Sequence, residues 1–155
     1  MNTEDKYNLN RFLQAQELMY PIALKELQAG HKRSHWIWYI FPQLKHLGYS
    51  HNSKYYGISG IDEATAYLSH PILGHRLREV SETILNLPSD DATGIFGHID
   101  AVKLRSSMTL FDKVSPDDVF ARVLDKYFNG KKDTRTIKII STSTESHNFL
   151  CETIQ

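Results

Sequence analysis

Apolar residues recur at intervals of three and four along most of this chain, and that period commits it to helices. Phe12, Ala15, Met19, Ala23 and Leu27 form one stripe, Leu73, Leu77, Val80, Ile84 and Leu87 a second, and Val119, Val123, Leu124, Tyr127 and Phe128 a third. Residues so spaced share one helix face, and an apolar face must find a core. The punctuation agrees. Asn8 or Asn10 can cap a first helix that runs toward Ala29, Pro21 should kink or split it, and Gly30 stops it. Ser115-Pro116-Asp117-Asp118 is a helix start, with a capping serine, a proline at the first position and an acid at the third. Gly130 ends the helix it opens.

Between these segments the pattern is shorter. Ser34 can cap a helix over residues 35–41, ended by Pro42, although the run His-Trp-Ile-Trp-Tyr-Ile-Phe also suits a strand. Residues 48–60 read as a loop with at most one short turn of helix. Asp62 caps a helix through about Ser69, and Pro71 opens the next, which runs to about Leu87. Residues 88–91 form a turn, Asp100 caps a helix from Ala101 to about Lys113, and 133–140 add one short helix. The expectation is a mainly α fold, a single compact domain of about six helices over residues 1–140. A polar, frayed tail over 141–155 would follow it.

The 155 residues suffice to bury a core without disulfides, and the one cysteine, Cys151, cannot form an internal one. A tail thiol with no role is the simplest account of it. The polar N-terminus lacks the apolar stretch of a signal peptide, and no run is long enough to span a membrane. A cytoplasmic setting is the expectation. Formal charge is zero, from 18 basic and 18 acidic residues, which argues against nucleic-acid binding by bulk charge.

Local charge is another matter. Between Glu26 and Asp62 there is no acid, yet the stretch holds Lys32, Arg33, Lys45 and Lys54 and the histidines His31, His35, His46 and His51. Trp36, Trp38, Tyr39, Phe41, Tyr49, Tyr55 and Tyr56 are interleaved with them. Cations pair with phosphate and aromatic faces stack on a base, so the combination suits an anionic, ring-bearing ligand. Core aromatics with a solvated basic rim would leave the same pattern.

A second cluster lies downstream. On one helix Asp100, Lys103 and Ser107 fall on one face and could bind phosphate or move a proton. The plainer account is a capping aspartate, an intrahelical ion pair and small residues at a close helix contact, and Ser106 reads that way. No metal site is expected: His31 and His35 straddle a helix start, and no HExxH or cysteine cluster occurs. GxGxxG, P-loop, GxSxG and kinase signatures are absent as well.

Further motifs carry a resemblance. They are Phe12 with Ala15-Gln16 and Tyr20; Ala23-Leu24, Glu26-Leu27 and Gly30; Ser34-His35-Trp36 with Trp38; and Ile40-Phe41-Pro42-Gln43. Ser50, Ser53 and Tyr56 follow, then Glu63-Ala64, Ala66-Tyr67-Leu68, His70-Pro71, Leu73-Gly74 and Arg76-Leu77. Ile95-Phe96-Gly97, Asp100, Lys103-Leu104, Ser106 to Phe111, Tyr127-Phe128 and Gly130 complete the set. Over about residues 8–140 the chain resembles the bacterial family catalogued as domain of unknown function 1810, sometimes labelled calpastatin-like. The resemblance implies a compact, mainly helical domain and supplies no mechanism. The calpastatin label conflicts with the composition, because calpain inhibitors of that type are disordered and this chain is not built that way.

Two functions fit. One is a small enzyme or binding protein for a nucleotide-like anion of the NAD or ADP-ribose kind. Trp36 or Tyr56 would then stack on the base, Lys103 and Arg76 hold phosphate, Gln43 and Ser107 add hydrogen bonds, and His35 with Asp100 handle protons. The other is a non-enzymatic interaction module that uses the same aromatic surface for a protein or a single-stranded nucleic acid. Cofactor and oligomeric state have no signature in the sequence.

Overall fold

The structure, a computed structural model, describes residues 5–142. Of the tail expected over 141–155, residues 141 and 142 are helical, and the rest, with Cys151, lies outside the described residues. Helix α1 spans Asn10–Gln28 and buries Phe12, Ala23 and Leu27, the stripe seen in the sequence. Neither asparagine caps it. The Asp5 carboxylate accepts from the Leu9 and Asn10 N–H groups at 2.7 and 2.8 Å, while Asn8 takes a left-handed φ of 52°. Pro21 lies on the exposed face and α1 continues through it; Glu17, whose carbonyl loses its partner there, is exposed as well. At the C-terminus Gly30, at φ 76°, donates to the Leu27 carbonyl and His31 to that of Glu26. Those two bonds reverse the chain and send it back along α1.

Helix α2 is Ile37–Ile40 only, not 35–41. The shortening has a local cause: the Ser34 hydroxyl is spent on Glu26 (2.6 Å) and caps nothing. A 3-10 turn at Lys45–Leu47 and helix α3, His51–Tyr55, follow. Ser50 caps α3 through the Ser53 N–H. Ile58 donates to the Gln43 carbonyl and Lys45 to that of Ile58, forming a lone parallel bridge that closes the base of this excursion. Gly57 sits against the Lys45 backbone so closely that a Cβ would overlap it.

Helices α4 (Ile61–Ser69) and α5 (Leu73–Leu85) are joined at His70, whose Nδ1 accepts from the Ile72 and Leu73 N–H groups. Helix α6, Ala92–Phe96, capped by Asp91, follows the expected turn at 88–91, in a stretch to which the sequence reading assigned no element. Helix α7 spans His98–Val114 and begins three residues before the expected start, after Gly97 at φ 81°. Asp100 therefore lies inside its first turn and is not its cap. Helix α8, Val119–Phe128, is capped by Asp118, with Ser115 donating to that same carboxylate at 2.7 Å. Helix α9 covers 134–142, with Asp133 accepting from the Thr136 N–H.

Helix α7 is the centre. It packs against α4, α6 and α8, and its Leu104, Met108, Leu110 and Phe111 are wholly buried. Helix α5 joins α1, α4 and α8 around the same core. Among the described residues there is no strand, and no helix is long and apolar enough to cross a membrane. The mainly α expectation holds, with six helices of seven or more residues.

Candidate functional site

One face of α7 stays off the core. His98, Ile99, Val102, Lys103 and Ser106 recur along it at helical spacing and form one wall of a cleft of ≈ 550 Å³. Trp38, from α2, stands across from them. Gln43, just before the bridge, and Leu47, Gly48, Tyr49, Ser50 and Ser53, from the excursion it closes, add to the lining, and Asp133 and Arg135 close the end beside α9. The volume falls in the range of small-molecule sites.

The charges are arranged around two tryptophans. Glu26 accepts from the Arg33 and Ser34 N–H groups, from the Ser34 hydroxyl and from the Trp36 indole, all at 2.6 to 2.9 Å. Burial alone would raise its pKa. The hydrogen bonds from Ser34, Arg33 and Trp36 together outweigh burial and hold it at about 2. Lys32, nearly buried, lies 4.7 Å from the Trp36 ring centre and pairs with Asp100 at 2.8 Å. Asp100 also faces Lys103 at 3.6 Å, and the Lys103 ammonium lies 5.8 Å from the Trp38 ring centre. A single carboxylate thus stands between two lysine–tryptophan pairs, one inside the protein and one at the cleft.

The cleft pair is unsaturated. The Trp38 indole N–H is buried and has no hydrogen-bond partner among the described residues. Arg135 is exposed, and no carboxylate among those residues pairs with it. Asp133 is occupied by Thr136, through both its N–H and its hydroxyl. The Ser106 hydroxyl donates to the Val102 carbonyl at 3.2 Å, and Ser50 donates to Ser53 at 2.9 Å. These hydroxyls keep acceptor capacity on the cleft side.

Of the residues picked from sequence, Gln43 and Lys103 line the cleft, and Asp100 supports Lys103 from behind. The others are placed elsewhere. Trp36 is fully buried, so no base can stack on it. His35 is exposed and away from the cleft wall. Tyr56 packs against Phe12, Tyr39 and Tyr55, and burial, then the neighbouring Tyr55, pushes its pKa up. Arg76 lies over the Tyr20 ring and donates to Gln16, a structural link between α5 and α1. Ser107 is wholly buried and Ser106 lines the cleft, the reverse of the sequence reading. Both are one turn from Lys103, at i+3 and i+4, and only the packing of α7 decides between them. Trp38, Tyr49, His98 and Arg135 were missed as ligand-binding candidates. A helical repeat from Ile99 through Lys103 to Ser106 could have pointed to the α7 wall, and the acid-free aromatic run already contained Trp38 and Tyr49.

Comparison with known proteins adds kinship. Residues 6–140 match the model of a family described as "Protein of unknown function (DUF1810)". A solved structure, the conserved hypothetical protein Rv1873 from Mycobacterium tuberculosis, is similar at 42% identity and a TM-score of 0.87. The match covers 88% of this chain and 99% of that one. No curated protein matches.

Proposed function

The chain belongs to the DUF1810 family, and we propose that its α7 cleft binds a small anionic, ring-bearing ligand of the nucleotide type, with NAD and ADP-ribose as the model compounds. One observation carries this: a lysine poised over a partly buried tryptophan, its indole N–H unpartnered, across a cleft that also presents Arg135. Phosphate would take Lys103 and Arg135, which act as charge-assisted donors. The base would lie against Trp38 or Tyr49, and Ser50, Ser53 and Ser106 would bond sugar hydroxyls. His98 replaces His35 as the histidine within reach. It is the group to test for proton transfer if turnover is found.

The test is a melting-temperature screen with ADP-ribose, NAD, AMP and inorganic phosphate. A ligand at ~100 times its dissociation constant adds about 2.7 kcal/mol, a rise of roughly 5–10 °C for a chain of this length. The rise should vanish in Lys103→Ala and Arg135→Ala. No rise with any of the compounds overturns the reading.

A second reading, a protein-binding module, is favoured by Tyr49, Ile99 and Val102, which are 88%, 70% and 50% exposed at the same cleft. A partner recovered with the native protein and lost with Ile99→Asp, in the absence of any nucleotide effect, would establish it.

A further inference from the structure

The excursion that walls the cleft has a second side. Beyond α3, on the side away from Ser50 and Ser53, Lys54 and Tyr55 face another cleft of ≈ 460 Å³, shared with Lys6 and Lys45. Its floor is already neutral. Arg11 and Glu63 pair there, and Arg11 also donates to the carbonyls of Tyr7, Asn8, Tyr55 and Gly57. Lys6, Lys45 and Lys54 are exposed and have no carboxylate within salt-bridge distance among the described residues. Two basic clefts thus flank one five-residue helix.

The ridge between them is aromatic. The His51 and Tyr55 rings stack on α3 with centres 6.1 Å apart and planes 6° from parallel, and both residues are exposed. A flat pair of rings between two cationic clefts matches a polymer with alternating phosphates and π-faces. A duplex hides those faces and a single strand offers them.

We infer that the ligand of the α7 cleft is one unit of a single-stranded nucleic acid, whose next phosphates cross α3 to Lys45 and Lys54. This rests on the nucleotide reading above and extends it. The neutral total charge fits, because attraction is confined to one face and a few phosphates. With about four phosphate contacts, the logarithm of affinity should fall with that of salt at a slope of roughly −3.

The experiment is fluorescence anisotropy with labelled oligo(dA) and oligo(rA) of about fifteen nucleotides, beside AMP and ADP-ribose titrated by calorimetry. The expected result is that the oligomers bind at least about tenfold more tightly than AMP. Lys45→Glu with Lys54→Glu should remove that advantage and leave AMP binding unchanged, while Lys103→Ala weakens both. His51→Ala, a surface change that spares the fold, should cost the oligomer about fivefold and AMP nothing. If AMP or ADP-ribose binds and the oligomer gains nothing, or the charge reversals have no effect, the inference is overturned and the cleft reading stands. If no mononucleotide binds and oligomer binding ignores Lys103, both are overturned.

Discussion

Trp36 and Trp38 are two residues apart, each beneath a lysine, and they do different work. The inner one is closed on every side: its indole donates to Glu26, Lys32 covers its ring, and no surface remains. The outer one is partly buried on a cleft wall, with a lysine at similar range and an indole N–H that nothing receives. Two similar lysine–tryptophan pairs thus differ in access: the Trp36 ring is sealed in the core, while Trp38 lines a cleft although its own indole N–H is buried. A buried donor without an acceptor costs about 1–3 kcal/mol, a cost carried at Trp38 and avoided at Trp36, where Glu26 accepts.

That contrast can be broken most forcefully by truncation. Trp36→Ala should cost about 3–5 kcal/mol, read as a lower urea midpoint, because it opens a cavity and strips Glu26 of a donor. Equal losses at the two tryptophans would erase the distinction drawn here. Next in size is the Lys32 and Lys103 pair. Lys32→Ala should destabilise by about 1–3 kcal/mol, since it takes the closer of two partners from the largely buried Asp100 carboxylate. Lys103→Ala should leave the melting temperature nearly unchanged while weakening AMP or ADP-ribose about tenfold or more, measured by calorimetry.

Acid titration sharpens the inner half. The Glu26 carboxyl is held at about 2, below its ordinary value. Its contribution is therefore complete above the ordinary carboxylate range and is lost as pH falls toward 2. Asp118 behaves alike: burial would raise it, but bonds from Arg78, Ser115 and Val119 hold it at about 2. Glu26→Gln should be less stable at neutral pH by about 1–3 kcal/mol and lose less on acidification, with Asp118 supplying what slope remains. An unchanged acid limb in urea melts would remove Glu26 from this role. The smallest effect is the most discriminating. Trp38→Phe removes an unsatisfied N–H and should alter stability by less than about 0.5 kcal/mol or raise it. The same change at Trp36 removes a satisfied bond and should be clearly destabilising.

The three long apolar stripes were legible because periodicity is local, and α1, α5 and α8 appear on them. Helix α6 was not, since five residues containing Gly94 are too short for an apolar period to show, and only the Asp91 cap marks their start. The acid-free stretch supplies part of the cleft, and Lys103 and Gln43, named from sequence as ligand contacts, both line it. Adjacent alternatives were beyond reach. Ser106 against Ser107 is a rotation of about 100° on one helix, and which hydroxyl meets the core depends on how α7 sits against its neighbours. Trp36 against Trp38 turns likewise on Glu26, ten residues upstream, whose demand for donors nothing in the aromatic run reveals.

Asp100 has a last consequence, and it concerns rates. Its two oxygens serve two ammonium groups, one at 2.8 Å and one at 3.6 Å. Were an anion to draw Lys103 away, as the proposed function requires, the looser contact would be the one released and the tighter one would keep the carboxylate compensated. On the proposed anion-binding function, the site would work as an ion exchanger with its counter-ion already in reserve, loading and unloading by the swing of a single flexible side chain. No helix has to repack, so association should run near the speed of ordinary diffusional encounter.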